Sequence, residues 1–106
     1  MTAAAATPRI ADASLPASWR GEAEGRLEPG ERVLAWVELD LDERLRYAPG
    51  LLVLTPGRLL AAGPERTSWH SWAPHPGQRL ELSDHGGVGA LELRDASSRI
   101  AGWRFT

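Results

Sequence analysis

Leu51-Leu52-Val53-Leu54-Thr55-Pro56-Gly57-Arg58-Leu59-Leu60-Ala61-Ala62 is the stretch that decides the fold. An unbroken apolar run this short, held between Pro49-Gly50 and Pro56-Gly57, predicts a central strand buried on both faces. Pro56-Gly57 then turns the chain back into a second apolar strand, Arg58–Ala62. Two strands joined this tightly form a meander, and the flanking sequence continues it.

On the N-terminal side, Val33, Ala35, Val37 and Leu39 alternate with Leu34, Trp36, Glu38 and Asp40. That period of two predicts a strand over Arg32–Asp40 with one buried face. The acidic turn Asp40–Glu43 leads into Arg44–Ala48, with Leu45 and Tyr47 expected to face inward and Pro49-Gly50 expected to break the chain before Leu51. Upstream of the Glu28-Pro29-Gly30 turn the period becomes helical: Trp19, Ala23 and Leu27 recur at spacing four. This predicts a short helix over about residues 16–25, with Ser14 as N-cap and Pro16 in its first turn. Gly21 and Gly25 weaken that helix, so its expected task is to lay Trp19 against the sheet. Residues 1–14 are alanine-rich without apolar periodicity and read as a mobile tail.

On the C-terminal side, Gly63-Pro64-Glu65-Arg66 turns the chain into Thr67–Ala73, and Pro74, Pro76 and Gly77 interrupt it again. Arg79–Ser83 alternates cleanly, and Gly86–Arg94 and Arg99–Phe105 form a last pair joined by Asp95-Ala96-Ser97-Ser98. The expectation is a mainly β domain over residues 15–106, a barrel or sandwich of seven to eight short antiparallel strands with one short N-terminal helix.

A chain of 106 residues makes one domain, and such a domain buries only about two thirds of its unfolded surface. Five tryptophans, Trp19, Trp36, Trp69, Trp72 and Trp103, are therefore expected to dominate the core. The absence of cysteine excludes disulfides, thiolate zinc sites and a cysteine nucleophile. All twelve basic residues are arginine, and the net charge of −2 argues against a dedicated nucleic-acid binder. No membrane span or signal peptide is legible, which points to a cytoplasmic chain.

Sites of chemistry are tested by spacing. Asp84-His85-Gly86-Gly87-Val88-Gly89 suggests a phosphate loop, but it has no Gly-Lys-Ser/Thr and is followed by an alternating strand instead of a helix N-terminus. An Asp-initiated hairpin with glycines at positive φ or a bulge is the better reading. His70, His75 and His85 lack any HxH or HxxxH spacing for a metal, and no serine sits on a nucleophile elbow that could make a triad with His85 and Asp84. Glu38, Asp40, Asp42 and Glu43 lack the glycine and downstream glutamate of a calcium loop. Neither catalysis, cofactor nor metal is expected. Trp69 and Trp72, three apart on a strand, must point to opposite faces. One enters the core; the other is either covered by Trp19 or available to a partner.

The order of these motifs carries a resemblance. Leu27-x-Pro29-Gly30-Glu31-x-Val33-Leu34-Ala35, Asp40-Leu41-Asp42, Leu45-Arg46-Tyr47-Ala48, Leu51–Ala61, Trp69-x-x-Trp72, Asp84-His85-x-Gly87-Val88-Gly89-x-Leu91-Glu92-Leu93 and Trp103-Arg104 together resemble the N-terminal extension of a family of bacterial ABC exporters. The Leu51–Ala61 portion is similar to the strand–turn–strand of bacterial PH-like and GRAM-like domains. The resemblance implies a PH-like split barrel or sandwich usually closed by a C-terminal helix, before which this chain is expected to stop. It also implies a non-catalytic accessory module at the inner face of the bacterial membrane, preceding the membrane-spanning and ATP-binding portions.

PH-like domains suggest phosphoinositide binding, but Asp40, Asp42 and Glu43 make the first hairpin acidic. Lipid headgroups are thereby disfavoured and protein contact is preferred, with Trp69, Trp72, Asp40 and Asp42 as candidate contact residues. The expected partner is the exporter core, or a partner or cargo protein. Two alternatives belong to other classes: homo-oligomerisation through an edge strand near Thr67–Ala73, and small-ligand binding on Trp69 or Trp72 at an open barrel mouth.

Overall fold

Strand β2 (Ala35–Leu41) starts the main sheet, and β3 (Tyr47–Leu54), β4 (Leu59–Ala62) and β5 (Trp69–Trp72) follow it in antiparallel order. Strands β6 (Gln78–His85), β7 (Val88–Asp95) and β8 (Ser98–Phe105) form a second meander. β8 lies beside β2 through the pair Leu41–Arg104, so the strand order is β5-β4-β3-β2-β8-β7-β6. A two-residue strand, β1 (Arg9–Ile10), pairs with the start of β2 at Trp36 and Ala35. The computed structural model describes residues 15–42, 44–65, 68–73, 75–96 and 98–106, together with the backbone of residues 9 and 10. The chain is mainly β, with antiparallel strands and one short N-terminal helix, α1 (Arg20–Glu24), entered through a 3₁₀ turn at Ala17–Trp19. No described helix is long and apolar enough to cross a membrane.

Two apolar clusters hold these elements together. Val37, Leu39, Leu52, Leu59 and Ala61 from the first meander meet Leu91, Leu93 and Phe105 from the second in one buried core. On the opposite face of the first meander, Leu51, Val53, Leu60 and Ala62 pack under Leu15, Trp19 and Ala23. Leu51 to Val53 are thus buried alternately into one cluster and the other. This is why the run has no polar alternation: water reaches neither face.

The helix forms for the same reason. Five residues are too few to hold a helix in isolation, so its stability comes from burying Trp19 and Ala23, which are about 1% and 2% exposed. The turn after it is built by Pro29 and by Gly30 at φ +81°, where the Glu31 N–H donates to the Glu28 carbonyl. That is a type II turn, in which proline presets the second position and glycine accepts positive φ.

Four local readings are corrected. Pro49-Gly50 does not break the chain but lies within β3. The register shifts between Leu39 and Leu41, a bulge that accommodates Pro49 without a ladder donor, and Gly50 packs where a Cβ would stand 2.8 Å from the Ala62 carbonyl. Leu45 and Tyr47 do not face inward but are 55% and 80% exposed. Leu45 sits at φ +63° in the hairpin turn, which carries it out of strand alternation. The strand predicted over Arg32–Asp40 begins at Ala35, and its predicted inward face holds: Val37 and Leu39 are buried in the core between the meanders, while on the other face Trp36 packs toward the helix-side cluster and Glu38 is exposed. Arg9 and Ile10, read as tail, pair with β2, while Ser14 and the rest of residues 1–14 lie outside the described residues.

Candidate functional site

Antiparallel pairing sets Trp72 opposite Leu59 and Trp103 opposite Leu91, which turns both rings toward the space between the two meanders. There they meet edge to face, with centroids 5.5 Å apart and planes at 78°, a favoured aromatic arrangement. Above this pair opens a cleft of about 500 Å³, at the end where the β2–β3 hairpin, the β4–β5 connection and the end of β8 converge. Leu39, Leu41 and Ala61 contribute apolar wall, while His70 and Arg104 bring polar groups to it. His70 lies on the same face of β5 as Trp72, with ring centroids 6.2 Å apart. The cleft can take an apolar or aromatic group and offers a cation at its edge.

The other tryptophan of β5 points away. Trp69 packs edge to face on Trp19 at 6.2 Å and 89°, inside the helix-side cluster. The two rings therefore point to opposite faces, as their spacing requires. Trp69 is covered by the N-terminal segment, whereas Trp72 lines the cleft.

Asp40 and Asp42 each have internal partners. Asp40 Oδ1 accepts from the Thr106 N–H at 2.8 Å, and its Oδ2 accepts from the Thr106 hydroxyl, holding the end of β8 beside β2. Asp42 Oδ1 accepts from the N–H groups of Arg44 and Arg46 at 2.8 and 2.9 Å. These contacts, the Arg46 N–H foremost, keep the Asp42 carboxyl below its ordinary range. The acidic hairpin is thus an Asx-stabilised turn, and Asp42 also lies at the cleft.

The remaining polar candidates are spread out. His70 is on β5, His75 faces Asp95 at 3.6 Å, and His85 closes the β6–β7 hairpin. Among the described residues no three His, Asp or Glu side chains are grouped to hold a metal. In the glycine cluster, Gly86 and Gly87 take φ of +62° and +89°, and the Gly87 N–H donates to Asp84 at 3.3 Å. Gly89 is required for space, because a Cβ there would overlap the Phe105 ring. The cluster makes a two-residue hairpin and a packing contact.

Trp103 is the site residue that sequence reasoning did not single out. A signal for it existed: Trp103 and Phe105 stand two apart on β8, so if one enters the core, the other shares its face. Its partner across the two meanders depended on tertiary structure. No family model, curated protein or solved structure matches this chain.

Proposed function

We propose that the chain is a non-catalytic docking module whose Trp72–Trp103 cleft receives an apolar side chain or short apolar segment of a partner protein. The observation that carries this reading is the cleft itself: an aromatic pair at its base, largely apolar walls, and charged groups confined to Asp42, Glu65 and Arg104. Such a composition suits a buried anchor surrounded by polar residues, the usual anatomy of an interaction hot spot. The mixed charge, two acids against one arginine, offers little to a phosphorylated headgroup, which favours protein over lipid. The motif order supports a host as well: an ABC exporter of bacterial type, with its own core, or a cargo protein, as the partner at the inner face of the membrane.

Calorimetry of the chain against the transporter core expressed without this segment tests the reading. Binding that Trp72→Ala weakens at least tenfold is the expected result. No heat of binding, together with transport unchanged when the segment is deleted, would overturn it.

A second reading rests on the cleft volume, since about 500 Å³ lies within the range of small-molecule pockets. A fragment screen by two-dimensional NMR separates the two. Small aromatic compounds that shift the Gly102 and Trp103 amides, with no binding of the transporter core, would favour the ligand over the protein.

A further inference from the structure

The second meander ends in β6, an edge strand of eight residues that pairs with β7 along its whole length without a bulge. β5, at the other edge, has only four residues. Seven of the eight β6 residues are exposed, and Leu80 and Leu82 keep 41% and 37% of their surface in water. Natural edges of this length are usually blunted by a bulge, a proline, charged side chains or a covering segment, and β6 carries the charges of Arg79, Glu81 and Asp84. β6 contains neither bulge nor proline.

Its backbone has a definite polarity. In a two-residue hairpin the closing pair, here His85–Val88, exchanges both hydrogen bonds, and every second pair repeats the pattern. Arg79, Glu81, Ser83 and His85 therefore turn their amides toward β7, while Gln78, Leu80, Leu82 and Asp84 turn theirs outward. The Gln78 N–H fits this assignment, since it donates to His75 and not across the ladder. The outward N–H and C=O groups of Leu80 and Leu82 form a short template for another strand.

We propose that β6 pairs antiparallel with β6 of a second copy of this chain, about a twofold axis at Leu80. The charges on the strand select that register. With Leu80 opposite its own copy, Arg79 of each chain lies opposite Glu81 of the other, at non-hydrogen-bonded positions where side chains are closest. A shift of the axis to Glu81 sets the two Glu81 carboxylates against each other. A shift to Leu82 leaves Glu81 facing Ser83 and Arg79 facing His85. Only the first register has two complementary ion pairs, and it brings the exposed Leu80 side chains together on the opposite face.

The pairing also extends a ladder already present within one chain. Arg79 Nε lies 2.5 Å from Glu81, Glu81 lies 3.9 Å from Arg94, and Glu92 is 3.0 Å from Arg94 and 3.6 Å from Arg99. Alternating charge thus runs across β6, β7 and β8 and stops at the β6 edge. A second copy continues it with matching signs, in the isologous arrangement most soluble dimers use.

Sedimentation equilibrium from 5 μM to 1 mM tests the proposal. The mass is expected to rise from 11.5 kDa toward about 23 kDa, twice that value. Glu81→Arg should hold the chain monomeric, and the swap Arg79→Glu with Glu81→Arg should restore dimerisation. Hydrogen exchange gives a reading independent of the variants: the Leu80 and Leu82 amides should become protected as concentration rises, while the Asp84 amide does not. A monomer throughout, protection that does not change with concentration, or protection gained instead in β5 would overturn the proposal. Dimerisation of Glu81→Arg equal to the parent's would overturn it as well.

Discussion

Arg58 donates from Nε and Nη2 to the two carboxylate oxygens of Glu31, at 2.8 and 2.7 Å, across 27 residues of sequence. The Thr55 hydroxyl adds a third donor to Glu31 at 2.8 Å, and Arg58 Nη2 also reaches the Arg26 carbonyl. One ion pair thereby ties the chain between the helix and β2 to the β3–β4 turn. Both side chains are largely buried, at 11% and 22% exposure, so neither is well solvated alone. Arg58→Ala is expected to cost about 3 kcal/mol in urea unfolding, since it leaves the Glu31 carboxylate without its partner. Arg58→Lys should recover less than half of that, because an ammonium cannot replace the two-pronged contact.

The same pair sets the acid response. Hydrogen bonding from Arg58, aided by the Glu28 N–H and Thr55, lowers the Glu31 pKa from 4.5 to about 2 despite partial burial. A carboxylate with a lowered folded pKa stabilises the native state fully above its unfolded pKa. That contribution is lost as pH falls from about 4.5 through about 2. Chemical denaturation from pH 6 to pH 2 should therefore lose about 2 kcal/mol that Glu31→Gln no longer loses over the same window.

Trp19, in the 3₁₀ turn that enters α1, should be the most sensitive single position of the N-terminal segment. Truncating a fully buried tryptophan to alanine costs about 3–5 kcal/mol, and here it also removes the ring covering Trp69. Trp19→Ala should lower the unfolding midpoint in urea and red-shift the tryptophan emission of the folded state. Trp69 exposed while the fold persists is the outcome that separates this face from the cleft.

Gly50 and Gly57 make a contrasting pair. A methyl at Gly50 would meet the Ala62 carbonyl and Leu39, whereas nothing lies within 4 Å at Gly57. Gly50→Ala should destabilise by about 1–3 kcal/mol, the range for overpacking, and Gly57→Ala by a few tenths at most. Thermal melts of the two variants check this directly.

Short-range rules made much of the fold legible in the sequence. The Leu51–Leu54 run announced a strand buried on both sides, Gly86-Gly87 announced a hairpin, and spacing alone placed Trp69 and Trp72 on opposite faces. What local pattern could not supply was partnership at a distance. Pro49-Gly50 looked like a break because a bulge is defined by the strand beside it, and Leu45 looked buried because alternation assumes a regular strand. Within the cleft, Trp72 was legible as a core or contact residue, but Trp103 acquires its role only when the two meanders close. Glu31 and Arg58 both stood in the motifs that carried the resemblance, yet nothing in sequence joins residues 27 apart.

The cleft between Trp72 and Trp103 carries the functional account, and the indole N–H signals of these two residues test it most directly. On titration of the ¹⁵N-labelled chain with the core of the proposed exporter host, the Trp72 and Trp103 signals should shift or broaden first, while that of Trp19, buried under the helix, should not. Binding that leaves both cleft signals unchanged would contradict the account.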